Sequence, residues 1–475
     1  MLEQRLHPVA APTQVVRLSP VPIVIGTLVI VCAVLFATLS IARHYAFNTA
    51  AYDLAMYDQA VWNTSQGRWF AINLLEDTMP GLTNKLGDHV EPILLPIALL
   101  YRLRSSADVL LVVQAVALAA LIWPLFHLTR FLTGSLLLAS VAVIMYLAHP
   151  AMWNALLIDF HPVTLSAAFL LLSLWMLVRG KRAACLIFAL LAMAGKEHVG
   201  LMVALLGLYA MLFHKSQRRL GAVLLVVGLI GSAIAFGAVI PAFQPAGASY
   251  YLNRYGNLGS SAIEVLISPI AKPDVVWSIL TRPNRISYYG DLLLPLGGLP
   301  LLGLPLLLPA LPDIALNTFS AFAPARTLDA HYAVVFAPFL ILAAVWGIDR
   351  LSRGLVRVFS PRRREGAKPL NLGVLVNVLT RRRTILILAC VWLIASMAAY
   401  HLHRYQSFLP LSTRYASSYR QEPRHSTGLR IAAQIPAEAV VSAQFTLVPH
   451  VSQRPRAHIS RASTTPSTCS STRME

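Results

Sequence analysis

The sequence is poor in charged residues, and those it has are unbalanced. Only 12% of its 475 residues are Asp, Glu, Lys or Arg, whereas 57% are hydrophobic, and 20 acidic residues stand against 39 basic ones. A soluble protein of this size needs far more charge on its surface, which excludes an ordinary soluble fold. The basic excess is not accompanied by any signature of an RNA- or DNA-binding module. We therefore expect no nucleic-acid partner.

Cysteines and nucleotide-binding motifs are also scarce. The four cysteines show no paired spacing, which excludes a disulfide framework and a zinc knuckle. No Walker motif, Rossmann fingerprint or nucleophile elbow is present, so ATP-driven transport by this chain alone is not expected. No small-residue cleavage site follows the first apolar run, and we interpret that run as a retained anchor.

Long apolar runs take the place of charge. Several segments of about 16–21 residues are almost uninterrupted, a length that crosses a bilayer core of roughly 30 Å; examples are Ile23–Ile41, Leu110–Leu128, Leu220–Ile240 and Ala333–Ile348. Lipid offers no hydrogen-bond partners to the backbone, so such segments form helices. The fold class predicted is an all-α polytopic membrane protein with about eleven transmembrane helices.

Basic residues cluster in short connections such as Arg179–Arg182 and Lys215–Arg219. Short basic loops mark the cytoplasmic side and attract anionic lipids. We therefore predict a multi-pass protein of a prokaryotic cytoplasmic membrane, with the amino terminus inside and the carboxyl terminus outside. The predicted regions are a cytoplasmic segment (1–21), a transmembrane domain (22–400) with outer loops 43–106 and 242–286 and a basic cytoplasmic loop 350–383, an outer carboxyl-terminal α/β segment (401–459), and an aberrant Ser/Thr-rich tail (460–475).

Two local patterns refine this topology. The region 183–213 is basic at both ends, which favours a hairpin of two short helices that meet at Lys196-Glu197-His198 below the membrane surface. The first outer loop opens with Tyr52–Trp62, which reads as an interfacial amphipathic helix. The tail loses its apolar pattern from Ser460, which indicates a frame change near Ile459 or a truncation.

Carboxylates and histidines collect on the predicted outer side, whereas the inner loops are almost purely basic. This asymmetry predicts one outward-facing polar cavity. Asp53 and Asp58 lie five residues apart on a helix and point roughly 140° apart, so only one of them can face the cavity as a general base. A helix-start or surface role is the alternative for either residue.

Asp88, His89 and Glu91 are three potential ligands of a hard divalent cation or contacts to a substrate, and capping of a short helix that starts near Pro92 is the alternative. The pair Asp159 and His161 also precedes a Pro-started helix and has the same two interpretations.

The turn Lys196-Glu197-His198 predicts phosphate binding near the headgroup level, with Glu197 orienting a cation; a local ion pair is the alternative. A second phosphate clamp could come from Arg326, His331 and Tyr332, against ordinary interfacial snorkelling. Arg254 or Arg326 is also expected to stabilise the phosphate together with Lys196. Arg254 lies in an aromatic cluster of the second outer loop, for which an aromatic belt is a simpler explanation than sugar stacking.

Several of these motifs together resemble a family of uncharacterised prokaryotic multi-spanning membrane proteins, a domain of unknown function. They are Tyr52-Asp53-Leu54 to Asp58-Gln59 and Trp62, His89 with Pro92, Gln114, Asp159-Phe160-His161-Pro162, Lys196-Glu197 and His331-Tyr332. The resemblance covers about residues 40–459. The tail from residue 460 departs from the family's pattern, which puts the outer carboxyl-terminal segment in doubt.

That family is similar in turn to the GT-C membrane glycosyltransferases, which have a long first outer loop with an acidic residue soon after the first span. The resemblance implies a polyprenyl-phosphate sugar donor and a divalent metal, Mg or Mn. By position it implies Asp53 as the base with Asp58 as the alternate, His89 near the acceptor or metal, and Lys196 near the donor phosphate. Because a fold does not fix a function, a transporter or lipid-handling protein and an inactive homologue stay as alternatives.

Overall fold

The structure is a computed structural model that describes residues 20–76, 78–245, 252–359, 382–412 and 416–460. These residues form a mostly helical membrane protein with little sheet, which confirms the predicted fold class at that level. In chain order the helices are α1 Pro20–Tyr45, α2 Met56–Ser65, α3 Leu94–Tyr101, α4 Ala107–Ala120, α5 Ile122–Thr133, α6 Leu136–Ala148, α7 Pro150–Leu157, α8 Val163–Val178, α9 Arg182–Met193, α10 Val199–Phe213, α11 Arg218–Ile234, α12 Ile240–Phe243, α13 Ala262–Ala271, α14 Pro273–Leu280, α15 Pro283–Leu293, α16 Leu304–Leu307, α17 Leu311–Phe319, α18 Ala337–Phe359, α19 Arg382–Tyr405 and α20 Pro423–Ala432.

The number of clear spans is smaller than the eleven predicted, a count that the structure does not confirm. Among the described residues, five helical stretches are long and apolar enough to cross a membrane, and a bent pair makes a sixth; the five are Pro20–Tyr45, Ala107–Thr133, Lys215–Phe243, Leu299–Phe319 and Arg382–Tyr405. The physical reason is that several predicted spans are short helices of 12–16 residues or pieces broken by proline.

The bent pair is α6 and α7, which meet at an angle of 44°. His149 adopts an extended conformation there, and its Nδ1 accepts a hydrogen bond from the Ala151 N–H. Pro150 occupies the first position of α7, where its missing N–H costs nothing. The break brings the chain back into the bundle before the loop that carries Asp159 and His161.

A hairpin of short helices forms where the sequence predicts one. Helices α9 and α10 meet at residues 194–198, and α10 packs closely against α11. A Cβ atom added at Gly207 would lie 2.4 Å from the Gly221 carbonyl oxygen, so this approach requires glycine. Small residues allow such backbone contact between membrane helices, and the contact holds the turn at 194–198 in place.

The two ends of the bundle differ in charge. Helices α8, α10 and α18 start at one end, where the residues that precede them include His161, His198 and His331. The same three helices finish at the opposite end, which is surrounded by Arg179, Lys181, Arg182, Lys215, Arg218, Arg353 and Arg382. We call the first the cavity end and the second the basic end.

The carboxyl-terminal segment, defined here as residues 416–460, lies against the first loop at the cavity end. It contains α20 and two three-residue strands, β1 Val441–Ala443 and β2 Ala457–Ile459, which pair in parallel with Val441 opposite Ala457. Its apolar residues pack on Ala51, Ala55 and Leu74 of the first loop. The tail predicted to be aberrant lies outside the described residues from position 461 onward.

Candidate functional site

Asp53 lies on the π-helical turn Ala51–Ala55, which leads directly into α2. Its side chain is 38% exposed, whereas its neighbours Leu54 and Ala55 are fully buried. The Asp53 Oδ1 atom lies 3.4 Å from Nε2 of His161. Single π-helical turns are frequent at functional sites, and this one presents a carboxylate beside an imidazole with one side open to solvent.

His161 is held by the loop between α7 and α8. Its backbone N–H donates to Gln114 Oε1 at 2.8 Å, and Gln114 Nε2 donates to the Asp159 carbonyl at 2.6 Å. Gln114 comes from the middle of α4, where a buried amide is affordable only because both of its ends are bonded. The amide therefore fixes the loop that carries the imidazole.

Asp159 has a structural position in this loop. Its carboxylate accepts hydrogen bonds from Arg43 Nη1 at 3.1 Å and from the Ala50 N–H at 2.8 Å, and its backbone φ is +68°. Burial raises the pKa of Asp159 to about 6, although the Arg43 guanidinium acts in the opposite direction. The Asp159 carboxylate, predicted to contact a substrate, instead bonds Arg43 at the end of α1 and Ala50 just before the Asp53 turn.

A small cavity lies beside the Asp53–His161 pair. The His161 ring stacks on His331 with centroids 3.6 Å apart, and His331 in turn lies 4.2 Å from the Tyr332 ring. The residues that line the cavity are Val163, Lys196, His198, Asp313, His331, Tyr332 and Val335. We call this the polar cavity; the histidine stack joins it to Asp53.

The turn Lys196-Glu197-His198 contributes two residues to the cavity and one to its frame. Glu197 accepts hydrogen bonds from His89 Nδ1 at 2.9 Å and from the Val90 N–H at 3.2 Å. Burial opposes its ionisation, but the His89 ring, together with Lys196 and His198, outweighs burial and holds the pKa of Glu197 well below its usual range. Glu197, predicted to orient a cation, therefore connects the turn to the first loop through hydrogen bonds.

Lys196 is buried, 8% exposed, and its ammonium has no ion pair or hydrogen bond among the described residues. His198 Nε2 lies 3.5 Å from Asp313 Oδ1. Burial lowers the pKa of His198 to about 4 and that of His331 well below its ordinary value, so both imidazoles are neutral at pH 7. Lys196 is thus the cation that lines the polar cavity.

The two arginines predicted as phosphate clamps occupy different positions. Arg326 is buried, and its Nη1 donates to the carbonyls of Ser320 and Phe322, so it satisfies the chain end that follows α17. Arg254 lies with its guanidinium 4.6 Å from the Phe322 ring centroid and close enough to Tyr332 to influence its ionisation. Of the two, Arg254 is the one near the cavity.

Two of the three residues predicted to bind a divalent metal, Asp88 and Glu91, contact a lysine instead, and the third, His89, contacts Glu197. Lys85 Nζ lies 2.5 Å from Asp88 Oδ2 and 3.0 Å from Glu91 Oε2, and its side chain is fully buried. Burial works against the ammonium, but the two carboxylates outweigh it and raise the pKa of Lys85. Within the described ranges, no group of three or more His, Cys, Asp or Glu side chains could hold a metal ion. The Lys85 ammonium already supplies the positive charge beside Asp88 and Glu91, so these two carboxylates do not fit Mg or Mn, and the use of a metal by the protein stays a prediction.

Comparison with known proteins assigns the chain to a family. Residues 43–473 match the family described as a predicted membrane protein, DUF2079. The chain belongs to this family. The match confirms the resemblance that the motifs indicate, and it includes most of the tail from residue 460 onward. No curated protein matches the chain.

Three solved structures have low sequence identity to this DUF2079 protein and TM-scores below 0.5. ArnT from Cupriavidus metallidurans bound to undecaprenyl phosphate is 14% identical with a TM-score of 0.49, over 94% of this chain and 87% of that one. The apo state of the same protein gives 15% identity and a TM-score of 0.46, over 90% and 86% of the two chains. The archaeal oligosaccharyltransferase AglB from Archaeoglobus fulgidus, in complex with an inhibitory peptide and a dolichol-phosphate, gives 12% and 0.37, over 92% and 64%.

Two residues of the site were missed by sequence reasoning. Asp313 lies in the apolar stretch Leu299–Phe319, and a lone carboxylate inside a candidate span is itself a signal of function that could have found it. Lys85 gave no comparable signal, because nothing in its sequence neighbourhood shows that the chain folds over it. Only the tertiary structure of the DUF2079 protein reveals that buried cation.

Proposed function

We propose that the protein is a membrane glycosyltransferase-like enzyme that transfers a sugar from a polyprenyl-phosphate donor to an acceptor hydroxyl. One observation carries the proposal: the accessible Asp53 carboxylate lies beside a cavity whose ammonium, that of Lys196, makes no ion pair within the described part of the chain. Such a transfer needs a base for the acceptor and a cation for the departing phosphate.

The proposed reaction is a direct displacement at the anomeric carbon of the sugar. Asp53 takes the proton of the acceptor hydroxyl while the acceptor oxygen forms a bond to that carbon. The bond from carbon to phosphate oxygen breaks, and its electron pair leaves with the polyprenyl phosphate. Protons and electrons balance in this step without a metal, an oxidant or a nucleotide.

The departing phosphate gains negative charge, which a fixed cation in a water-poor cavity stabilises strongly. Lys196 supplies this cation in the proposal, with Arg254 as the second. The Nε2 atoms of His198 and His331 make no hydrogen bond within the described residues, and a neutral imidazole in the tautomer that carries its proton on Nε2 can donate to the same group.

We further propose that the reaction takes place at the outer face of the cytoplasmic membrane. The basic end carries the Arg and Lys clusters that the positive-inside rule assigns to the cytoplasm. The polar cavity lies at the opposite end of α8, α10 and α18, and this position supports the proposal that donor and acceptor bind on the outer side.

The test is sugar transfer in proteoliposomes from labelled polyprenyl-phosphate pentoses and hexoses. We expect Asp53→Asn to lower the transfer rate by about 100-fold or more, the usual contribution of a general base. Glu438→Gln, an exposed carboxylate of the carboxyl-terminal segment, is the matched control and should leave the rate unchanged. Equal rates for Asp53→Asn and the wild type would contradict the assignment, and solute accumulation without chemical change would indicate a transporter instead.

A further inference from the structure

The helix that follows Asp53 carries a second carboxylate on another face. Asp58 is only 1% exposed, in contrast to the accessible Asp53. Its oxygens accept three hydrogen bonds: from Tyr101 Oη at 2.6 Å, from Ser452 Oγ at 2.6 Å and from Gln453 Nε2 at 3.0 Å. A carboxylate with these partners has little capacity left to take a proton from a substrate.

Two of these three donors belong to the carboxyl-terminal segment, which is nearly 400 positions away in sequence. Further bonds join the same two regions. Gln59 Nε2 donates to the Arg454 carbonyl at 3.3 Å, and the Asn73 side chain bonds both the N–H and the carbonyl of Ala457, at 3.1 and 2.8 Å. The contact is therefore specific in register as well as close.

Apolar packing places this contact directly behind the Asp53 turn. Ala51 and Ala55, one on each side of Asp53 along the π-helical turn, are fully buried in a cluster with Val448, Val451 and Ala457 of the carboxyl-terminal segment. On its other side the turn faces His161. The turn that carries Asp53 thus lies between the membrane bundle and the carboxyl-terminal segment.

We propose that Asp58 is a positioning residue through which residues 448–457 of the carboxyl-terminal segment hold the Asp53 turn in its working geometry. The π-helical turn is a rare conformation that surrounding structure must maintain. If the carboxyl-terminal segment dissociates from the first loop, the Asp53 carboxylate is displaced relative to His161 and the polar cavity. This role rests on the proposed function, and it makes the carboxyl-terminal segment part of the catalytic unit.

The experiment compares Asp58→Asn, Asp58→Ala and Ser452→Ala with the control Glu438→Gln. Asparagine keeps one acceptor oxygen, whereas alanine keeps none, so a positioning role predicts a graded loss. We expect hydrogen exchange of the peptides covering 51–55 and 448–457 to rise in the order wild type, Asp58→Asn, Asp58→Ala. Ser452→Ala, which removes one donor and leaves the carboxylate, should lie near Asp58→Asn and serves as the variant least able to disturb folding.

Sugar transfer supplies the second measurement. We expect kcat to fall by about 10- to 100-fold in Asp58→Ala, the range for a reacting group displaced by about 1 Å, with the KM for the lipid donor unchanged. Equal and complete loss of transfer in both Asp58 variants, with unchanged exchange at 448–457, would identify Asp58 as the base and overturn the proposal. Unchanged exchange and unchanged kcat in Asp58→Ala would overturn it as well. If the wild type transfers no sugar, the proposed function fails, while the exchange data still decide whether Asp58 couples the two regions.

Discussion

The two ends of the helix bundle treat buried charge in opposite ways. At the basic end, Asp349 is 2% exposed, and its two oxygens lie 2.8 Å from Arg353 Nε and 2.5 Å from Arg382 Nη2. Both arginines also donate to the Thr133 carbonyl, which joins α18, α19 and the end of α5. Every charge at this junction has a partner.

At the cavity end, several equally buried polar atoms are left without a hydrogen bond. Asp313 Oδ2 and the Nε2 atoms of His198 and His331 have no hydrogen bond among the residues that the structure describes, and Lys196 has no ion pair there. Unsatisfied buried polar groups cost free energy, so a fold retains them where a ligand completes them. Burial alone therefore does not identify a functional charge. The absence of a hydrogen bond or ion pair within the protein is what distinguishes it.

The largest effect on stability should come from the fully paired cation of the first loop. Lys85→Met leaves the Asp88 and Glu91 carboxylates buried without compensation, which costs about 3–5 kcal/mol of unfolding free energy. Thermal and denaturant unfolding in detergent measure it. A Lys85→Met protein as stable as the wild type would mean that pairing does not distinguish structural charges from functional ones.

The unpaired cation should behave in the opposite way. Lys196→Met is expected to lower sugar transfer by about 100-fold, the contribution of a single electrostatic stabiliser. The same change should lower the unfolding midpoint far less than Lys85→Met does, because Lys196 makes no ion pair or hydrogen bond among the described residues and acts on the buried Asp313 and Glu197 carboxylates only at longer range. The transfer assay and a parallel melting curve test this, and a marked loss of stability with normal transfer would reverse the assignment.

The junction at the basic end predicts a smaller, purely structural effect. Asp349→Asn should cost about 1–2 kcal/mol of stability, less than a wholly buried pair because Arg353 and Arg382 are roughly half exposed to solvent. Sugar transfer per folded molecule should stay at the wild-type level. Chemical denaturation and the proteoliposome assay together check both parts, and a selective loss of transfer would show that the two ends are coupled.

The smallest expected effect is a pH dependence of the stability that Glu197 contributes beside the cavity. The folded-state pKa of Glu197 is depressed, so its contribution to stability is present above its unfolded pKa of about 4.3 and disappears as the pH falls through the folded value. The difference in unfolding midpoint between the wild type and Glu197→Gln should therefore be constant from pH 7 to about pH 5 and shrink in more acidic solution. A difference that grew on acidification would contradict the sign of this shift.

Much of the site was predictable from residue chemistry alone. Asp53, His161, Lys196, His198 and His331 were expected at one level of the membrane. In the structure Lys196, His198 and His331 line one cavity, His161 stacks on His331, and Asp53 lies beside His161. Their proximity could be expected because ionisable residues at the ends of apolar runs are conspicuous in a sequence with so few charges, and their functional roles stay predictions.

Other predictions needed spatial neighbours that no local pattern reveals. Whether Asp88 and Glu91 bind a metal depends on Lys85 Nζ lying between them, and the position of Arg326 depends on the carbonyls that end α17. The number of spans was likewise uncertain, because proline breaks and short helices decide which apolar runs join. The metal, the donor and the orientation of the protein stay predictions.

The sequence by itself determined that this chain is a helical membrane protein, since long apolar runs leave the backbone no other way to satisfy its hydrogen bonds in lipid. It also determined which few polar residues had to be buried in the protein or exposed to water, away from the lipid. Only the tertiary structure decided which of them received a partner. Asp58 and Asp349 are completed by donors distant in sequence, whereas Lys196 has no such partner among the described residues and Asp53 lies beside the His161 ring with one side open to solvent. Pairing depends on distances in space that sequence spacing does not fix.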